Sequence, residues 1–170
     1  MTDATNIKVK ALSLKQPWAQ WVAVGVKTIE TRMWPTRHRG PLLICASKTF
    51  DNAVPPNHMD VNLHPRVAGL TYPMGVALAI AYVADCRPMV PADEPQALCP
   101  WEPGRFAWFI SSVVQIHPLA VKGQLGVFDV ALDPRYERAL ATTIRLAEAA
   151  RTSGRSQFAD LTQETAPTRI

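Results

Sequence analysis

Six segments of this chain read as β-strands, and only one short helical stretch lies among them. Ile7 to Leu14 alternates and carries β-branched residues. Lys27 to Trp34 has a period of two, and Pro41 to Ser47 (PLLICAS) is an apolar run suited to a buried central strand. Phe106 to Ile116 (FAWFISSVVQI) is aromatic and β-branched, and Gly126 to Leu132 (GVFDVAL) reads as a closing strand. Gly75 to Cys86 (GVALAIAYVADC) fits helix or strand, since alanine favours helix. Strand is preferred there, because Val76, Leu78, Ile80, Tyr82 and Val83 form no helical stripe. Strands that follow one another without helices between them cannot build parallel βαβ units. The expected fold is therefore mainly β with peripheral helices, a small mixed or antiparallel barrel.

The one early helix is expected over Pro17 to Val24. Proline suits a first turn, Trp18, Trp21 and Val22 recur at i, i+3 and i+4, and Gly25 is placed to end it. Residues 51 to 75 contain four prolines and predict a long excursion with at most a short helix, and residues 88 to 104 predict a proline-rich acidic loop. Beyond Pro134 the period changes: Tyr136, Leu140, Ile144 and Ala147 mark an amphipathic helix over residues 135 to 151, and the tail after Thr152 is expected to be loosely ordered. The expected division is a domain over residues 1 to 133 and a C-terminal helix and tail over 134 to 170.

At 170 residues, 48% hydrophobic and 19% charged, the composition is that of a folded globular domain. No apolar run reaches the roughly 18 residues that span a bilayer, and the first 25 residues lack a secretory leader pattern, so no membrane association and a cytoplasmic location are expected. Cys45, Cys86 and Cys99 are odd in number and lack CxxC spacing, which predicts reduced, buried, inert thiols. His58 and His64, with Asp60 between them, are weak as metal ligands in a proline-rich loop, so neither metal nor cofactor is expected.

The net charge of +4 is unevenly spread: residues 1 to 48 carry +6, 49 to 133 carry −4 and 134 to 170 carry +2. That polarity favours an anionic ligand near the N-terminal third, and its modest size makes duplex DNA a less suitable partner than RNA or a nucleotide. Within Lys27 to Trp34, alternation places Thr28, Glu30, Arg32 and Trp34 on one side and Ile29, Thr31 and Met33 on the other.

ALSLKQPWAQWVAVGVKTIETRMWPTRHRGPLLICASK resembles the opening of an ASCH domain, the activating signal cointegrator 1 homology domain of the PUA-like superfamily. SLKQPWA, GVKTIETR, RGPLLICASK and, near the end, VKGQLGVFDV occur in order across most of residues 11 to 131. The resemblance implies a PUA-like barrel, with a cleft between the first helix and the barrel lined by Lys27, Glu30 and Arg32. It also implies action on RNA or nucleotides, by binding in some members and by catalysis in others.

Arg32 offers a planar fork to phosphate or a base edge, Lys27 a mobile charge, and Glu30 an acceptor that orients the cations or takes a base amino group. The ordinary alternative is an exposed cross-strand ion pair. On the site reading, charge reversal at Lys27 or Arg32 weakens binding and leaves the melting temperature nearly unchanged. Lys15, Trp18, Arg39 and Lys48 complete the candidate set, beside Ser13 and Gln16. Trp18 either stacks a base or packs on Trp21. Arg37 and His38 are weaker candidates, and Trp101, Glu102 and Arg105 precede a strand where they could rim a pocket.

Some small relatives deacylate N4-acetylcytidine with the motif lysine, a threonine three residues later and a distant glutamate. Here that position is Glu30, and Thr28 and Thr31 are expected to point elsewhere on the strand. Single-strand ribonuclease activity would use Glu30 as base, beside an arginine that favours the carboxylate form and weakens it in that role. Whether the protein is an enzyme is therefore left open, with Lys27 and Glu30 as catalytic candidates. An RNA- or nucleotide-binding module for single-stranded or modified nucleic acid leads. A protein-interaction module built on the C-terminal helix is a further alternative, the ordinary role of that helix being to pack on its own barrel.

Overall fold

The computed structural model describes residues 6–52 and 64–155, and the backbone of residues 157–160. The strands are β1 (Ile7–Gln16), β2 (Ile29–Arg32), β3 (Gly40–Phe50), β4 (Val76–Pro88), β5 (Phe106–Ala120), β6 (Val127–Leu132) and β7 (Gln157–Asp160). The helices are α1 (Trp18–Ala23), α2 (Glu94–Ala97) and α3 (Glu137–Ser153). One sheet runs β2-β5-β4-β3-β1-β6, and β7 adds to β5 off that path. β1 lies parallel to β3 and β7 parallel to β5, and all other pairs are antiparallel.

β3 reads as a continuous apolar run because both of its faces are covered. Leu42, Ile44 and Ala46 join the cluster that includes Ala19, Val22 and Ala23 of α1. Leu43 and Cys45 join the opposite cluster with Tyr136 and Ala139 from the start of the C-terminal helical region. A strand buried on two sides has no polar face to alternate with. The alanines that made β4 ambiguous have the same origin. Ala77, Ala79 and Ala81 are fully buried, and their small side chains let a helix approach the sheet closely. The C-terminal helix packs on its own sheet and is pinned there by Thr143, whose buried hydroxyl donates to the Ile80 carbonyl at 3.2 Å, while Ser112 donates to the Thr143 carbonyl at 2.7 Å.

Five expectations need correction. The sheet is not closed into a barrel: β2 and β6 are its opposite edges among the described residues. The physical reason is length, since β2 spans four residues and pairs only with Phe106 to Phe109 of β5. The strand expected over 27 to 34 is cut to that length because Lys27 and Thr28 are drawn to α2, Thr28 donating its backbone N–H to the Gln96 carbonyl at 3.1 Å. The acidic loop at 88 to 104 holds a 3₁₀ turn (Pro91–Asp93) running into α2. The tail includes β7, whose strand pairing supplies backbone hydrogen bonds that side-chain pattern could not reveal. Cys45 and Cys99 are buried and free, whereas Cys86 is also free but only half-buried.

Candidate functional site

GVKTIETR is placed by three local events. Gly25, at φ +72°, ends α1 in a left-handed turn that L side chains disfavour, and the Val26 and Lys27 amides both return to the Trp21 carbonyl at 3.0 Å. The chain then enters β2, where Ile29 is buried against Met89, Ala97, Cys99 and Ala107. That anchor leaves Glu30 and Arg32 to line a cleft of about 1080 Å³ between the end of β1, α1, β2, the end of β3 and the loop before β6.

Lys27 sits at its floor, only 2% exposed, with Glu30 8% exposed beside it. The Lys27 Nζ donates to the Ala97 carbonyl, lies 3.8 Å from Glu30 Oε2, and stands 5.2 Å from the centre of the Trp18 ring. Burial lowers the Lys27 pKa below the usual lysine value. The Glu30 carboxylate opposes that shift, while Arg32 and Arg105 add to it. The Arg32 Nε lies 3.1 Å from Glu30 Oε1, but its N–H is not aimed along that line, so the attraction is Coulombic. Arg32 Nη2 donates to the Ser13 carbonyl at 3.0 Å. Both Glu30 oxygens thus face cations, and Arg32 remains about a quarter exposed toward the cleft.

Lys15 and Lys48 also line this cleft, both exposed, and Trp18 does so half-buried. Trp18 meets Trp21 edge-on at 5.2 Å and donates its indole N–H to Asp51 at 3.1 Å, so it both packs and lines the wall. Gln16 is fully buried and structural, accepting from the Gln20 amide and donating to the Pro73 carbonyl. Arg39 does not join the set: it pairs with Asp85 at 3.0 Å and donates to the Thr36 and His38 carbonyls. Arg37 and His38 lie outside the cleft with it, and Trp101 and Glu102 do not line it either.

Two further corrections concern single residues. Thr31 does line the cleft, its hydroxyl 3.5 Å from Cys99 Sγ and from Arg105 Nη1. Burial also changes the expectation for charge reversal at Lys27, because a carboxylate there would face Glu30 and the Ala97 carbonyl, disturbing the fold as well as the site. Sequence reasoning missed Lys122. The VKGQLGVFDV segment carried the signal, since Lys122 and Gly123 sit in it. Arg105, only a rim candidate from sequence, lines the cleft with an ion pair to Glu102 at 2.8 Å. No group of three or more His, Cys, Asp or Glu residues is placed to hold a metal among the described residues, and His58 and Asp60 lie outside them.

The sequence model for the ASCH domain matches residues 12–120, more than half of the chain. The chain belongs to the ASCH domain family. That family is generally thought to bind RNA. Among solved structures, the ASCH protein from Zymomonas mobilis is similar with a TM-score of 0.49 and 12% identity, over 78% of this chain and 93% of that one. A serine-to-alanine variant of that protein gives 0.46 and 13%, over 81% and 97%. No curated protein matches the chain. Among the described residues of this ASCH protein, no helix is long and apolar enough to cross a membrane.

Proposed function

We propose that this ASCH domain binds RNA, taking a single unpaired or modified base into the cleft between α1 and the sheet. The observation that carries the reading is the Lys27–Glu30–Arg32 set, its lysine and glutamate buried, at the floor of a cleft roomy enough for one nucleotide. Glu30 is held by two cations and can accept from a base amino group. Arg32 keeps exposed N–H groups for a base edge or phosphate, and the low-dielectric floor strengthens each contact. One open cleft suits a splayed single strand, since an RNA duplex offers its bases poorly to side chains.

A hydrolytic reading has one observation in its favour: the Thr31 hydroxyl lines the same cleft as a lysine whose pKa burial has lowered. The described neighbours of that hydroxyl are Cys99 and Arg105, with no hydrogen bond to Lys27, so recognition remains the leading role. Incubation with single-stranded RNA and a panel of modified nucleosides, monitored for both binding and product, separates the two. Saturable binding without product supports recognition. Deacylation lost in Thr31→Val, or strand cleavage lost in Glu30→Gln, would establish an enzyme.

A further inference from the structure

The cleft's charge divides into two zones. At the floor, Lys27 and Arg32 share Glu30, and at one side Arg105 is paired with Glu102. At the rim, Lys15, Lys48 and Lys122 are exposed and have no carboxylate partner among the described residues. They come from three separate elements: the end of β1, the end of β3 and the loop joining β5 to β6. The remaining lining carboxylate, Asp51, already accepts from Trp18.

Two glycines hold this rim together. Gly75, at φ +71°, lies under the Lys48 stem, and a Cβ there would come within 3.3 Å of Lys48 Cε. Gly123 presses the Lys122 loop onto β1 so closely that a Cβ would meet Ser13 Oγ at 2.6 Å. The aliphatic stem of Lys48 and the loop carrying Lys122 are thus set by close backbone approaches within one cleft.

Resting on the reading of the cleft as an RNA site, we propose that Lys15, Lys48 and Lys122 form a phosphate-binding rim, so that the ligand class is a phosphorylated nucleoside and not a free nucleoside. The base enters toward Glu30 and Arg32 while its phosphate stays at the mouth. Unpaired ammonium groups there gain an anion without having to break an existing ion pair, and each phosphate neutralised releases counterions. Lysine suits this role because its charge is compact and mobile, matching a phosphate whose position varies along a flexible strand.

The test compares the affinity of the intact protein for nucleosides, the matching nucleoside 5′-monophosphates and a short single-stranded RNA, each over a salt series. The variants are Lys15→Ala/Lys48→Ala/Lys122→Ala together and, as control, Lys8→Ala/Lys10→Ala, whose lysines pair with Asp129 away from the cleft. Monophosphates should bind at least about tenfold tighter than nucleosides. The triple variant should lose that advantage and flatten the log–log salt dependence for RNA by about 0.7 per phosphate contact removed. The control should match the wild type. Equal affinity for nucleoside and monophosphate, or a triple variant with an unchanged salt slope, would overturn the rim while leaving RNA recognition at the floor intact. Failure of the wild-type protein to bind any of the three would overturn both.

Discussion

Lys27 reaches across 70 residues of sequence to donate to the carbonyl of Ala97, the last residue of α2. One ammonium therefore ties β2 to the segment before β5 and balances Glu30 at the cleft floor. Lys27→Met leaves the Ala97 carbonyl and one side of Glu30 without a partner. Loss of one member of a buried ion pair costs about 3 kcal/mol, so the melting temperature should fall by roughly 6–12 °C for a chain of this size. Thermal unfolding monitored by circular dichroism checks this. The pH dependence carries a second mark. The Lys27 pKa is lowered in the folded state, so between that value and 10.5 the unfolded chain holds the extra proton and stability rises with pH. Lys27→Met should remove that rise.

The Arg87–Asp93 pair should govern how firmly α2 is presented to Lys27. Two parallel bonds of 2.8 Å join the guanidinium to the carboxylate, and Asp93 also accepts from the Val90 amide at 2.9 Å. Hydrogen bonding to Arg87 lowers the Asp93 pKa below 3.8. Its stabilisation is complete above the unfolded value and is lost as pH falls through the folded one. Asp93→Asn should lose about 2 kcal/mol at neutral pH, and its stability should respond less to acid in that range. Urea denaturation across an acid series measures both.

Cys45 sets the alkaline limit. Burial in the cluster beneath the C-terminal helical region pushes its thiol up to about 12 from 9.0. Above pH 9 the unfolded chain loses a proton that the folded chain keeps, so stability falls as pH rises, by about 2 kcal/mol at about pH 10.5. Cys45→Ala should flatten this slope, whatever its effect at neutral pH. Urea unfolding of both proteins between pH 8 and 11 is the check, and parallel curves would refute it.

Ser13 and Gly123 should behave as a coupled pair. Gly123→Ala forces its Cβ against Ser13 Oγ and should displace the Lys122 loop, lowering both melting temperature and RNA affinity. Ser13→Ala removes the opposing oxygen and leaves only a carbon at 3.6 Å, an ordinary contact. The double variant should therefore recover most of what Gly123→Ala loses. Additive effects in a double-mutant cycle would show that the two sites are independent.

Much of this architecture is legible in local pattern. Period two in KTIETR places Glu30 and Arg32 on one face, the apolar run of β3 reads as a buried strand, and β4 reads as a strand because its apolar residues form no helical stripe. The burial of Lys27 is not legible there, because it depends on α2, which lies in a proline-rich segment without a helical stripe. Lys122 escaped notice for a related reason: its place in the cleft is set by a close contact between Gly123 and Ser13, 110 residues apart. Arg39 went the other way, since the sequence does not show that Asp85 on β4 stands within 3.0 Å of it. The open sheet follows from how few residues β2 contributes, and strand ends are fixed by long-range hydrogen bonds that residue pattern does not encode.

Arg32 carries the most direct test of RNA recognition in the cleft, because it is half-buried and can be removed without emptying the core. Titration of a short single-stranded RNA into wild-type protein and Arg32→Ala at one fixed salt concentration gives the answer. Recognition through the cleft predicts saturable wild-type binding, a loss of at least about tenfold in the variant, and melting temperatures within about 4 °C of each other. Equal affinity of the two proteins for RNA would contradict it.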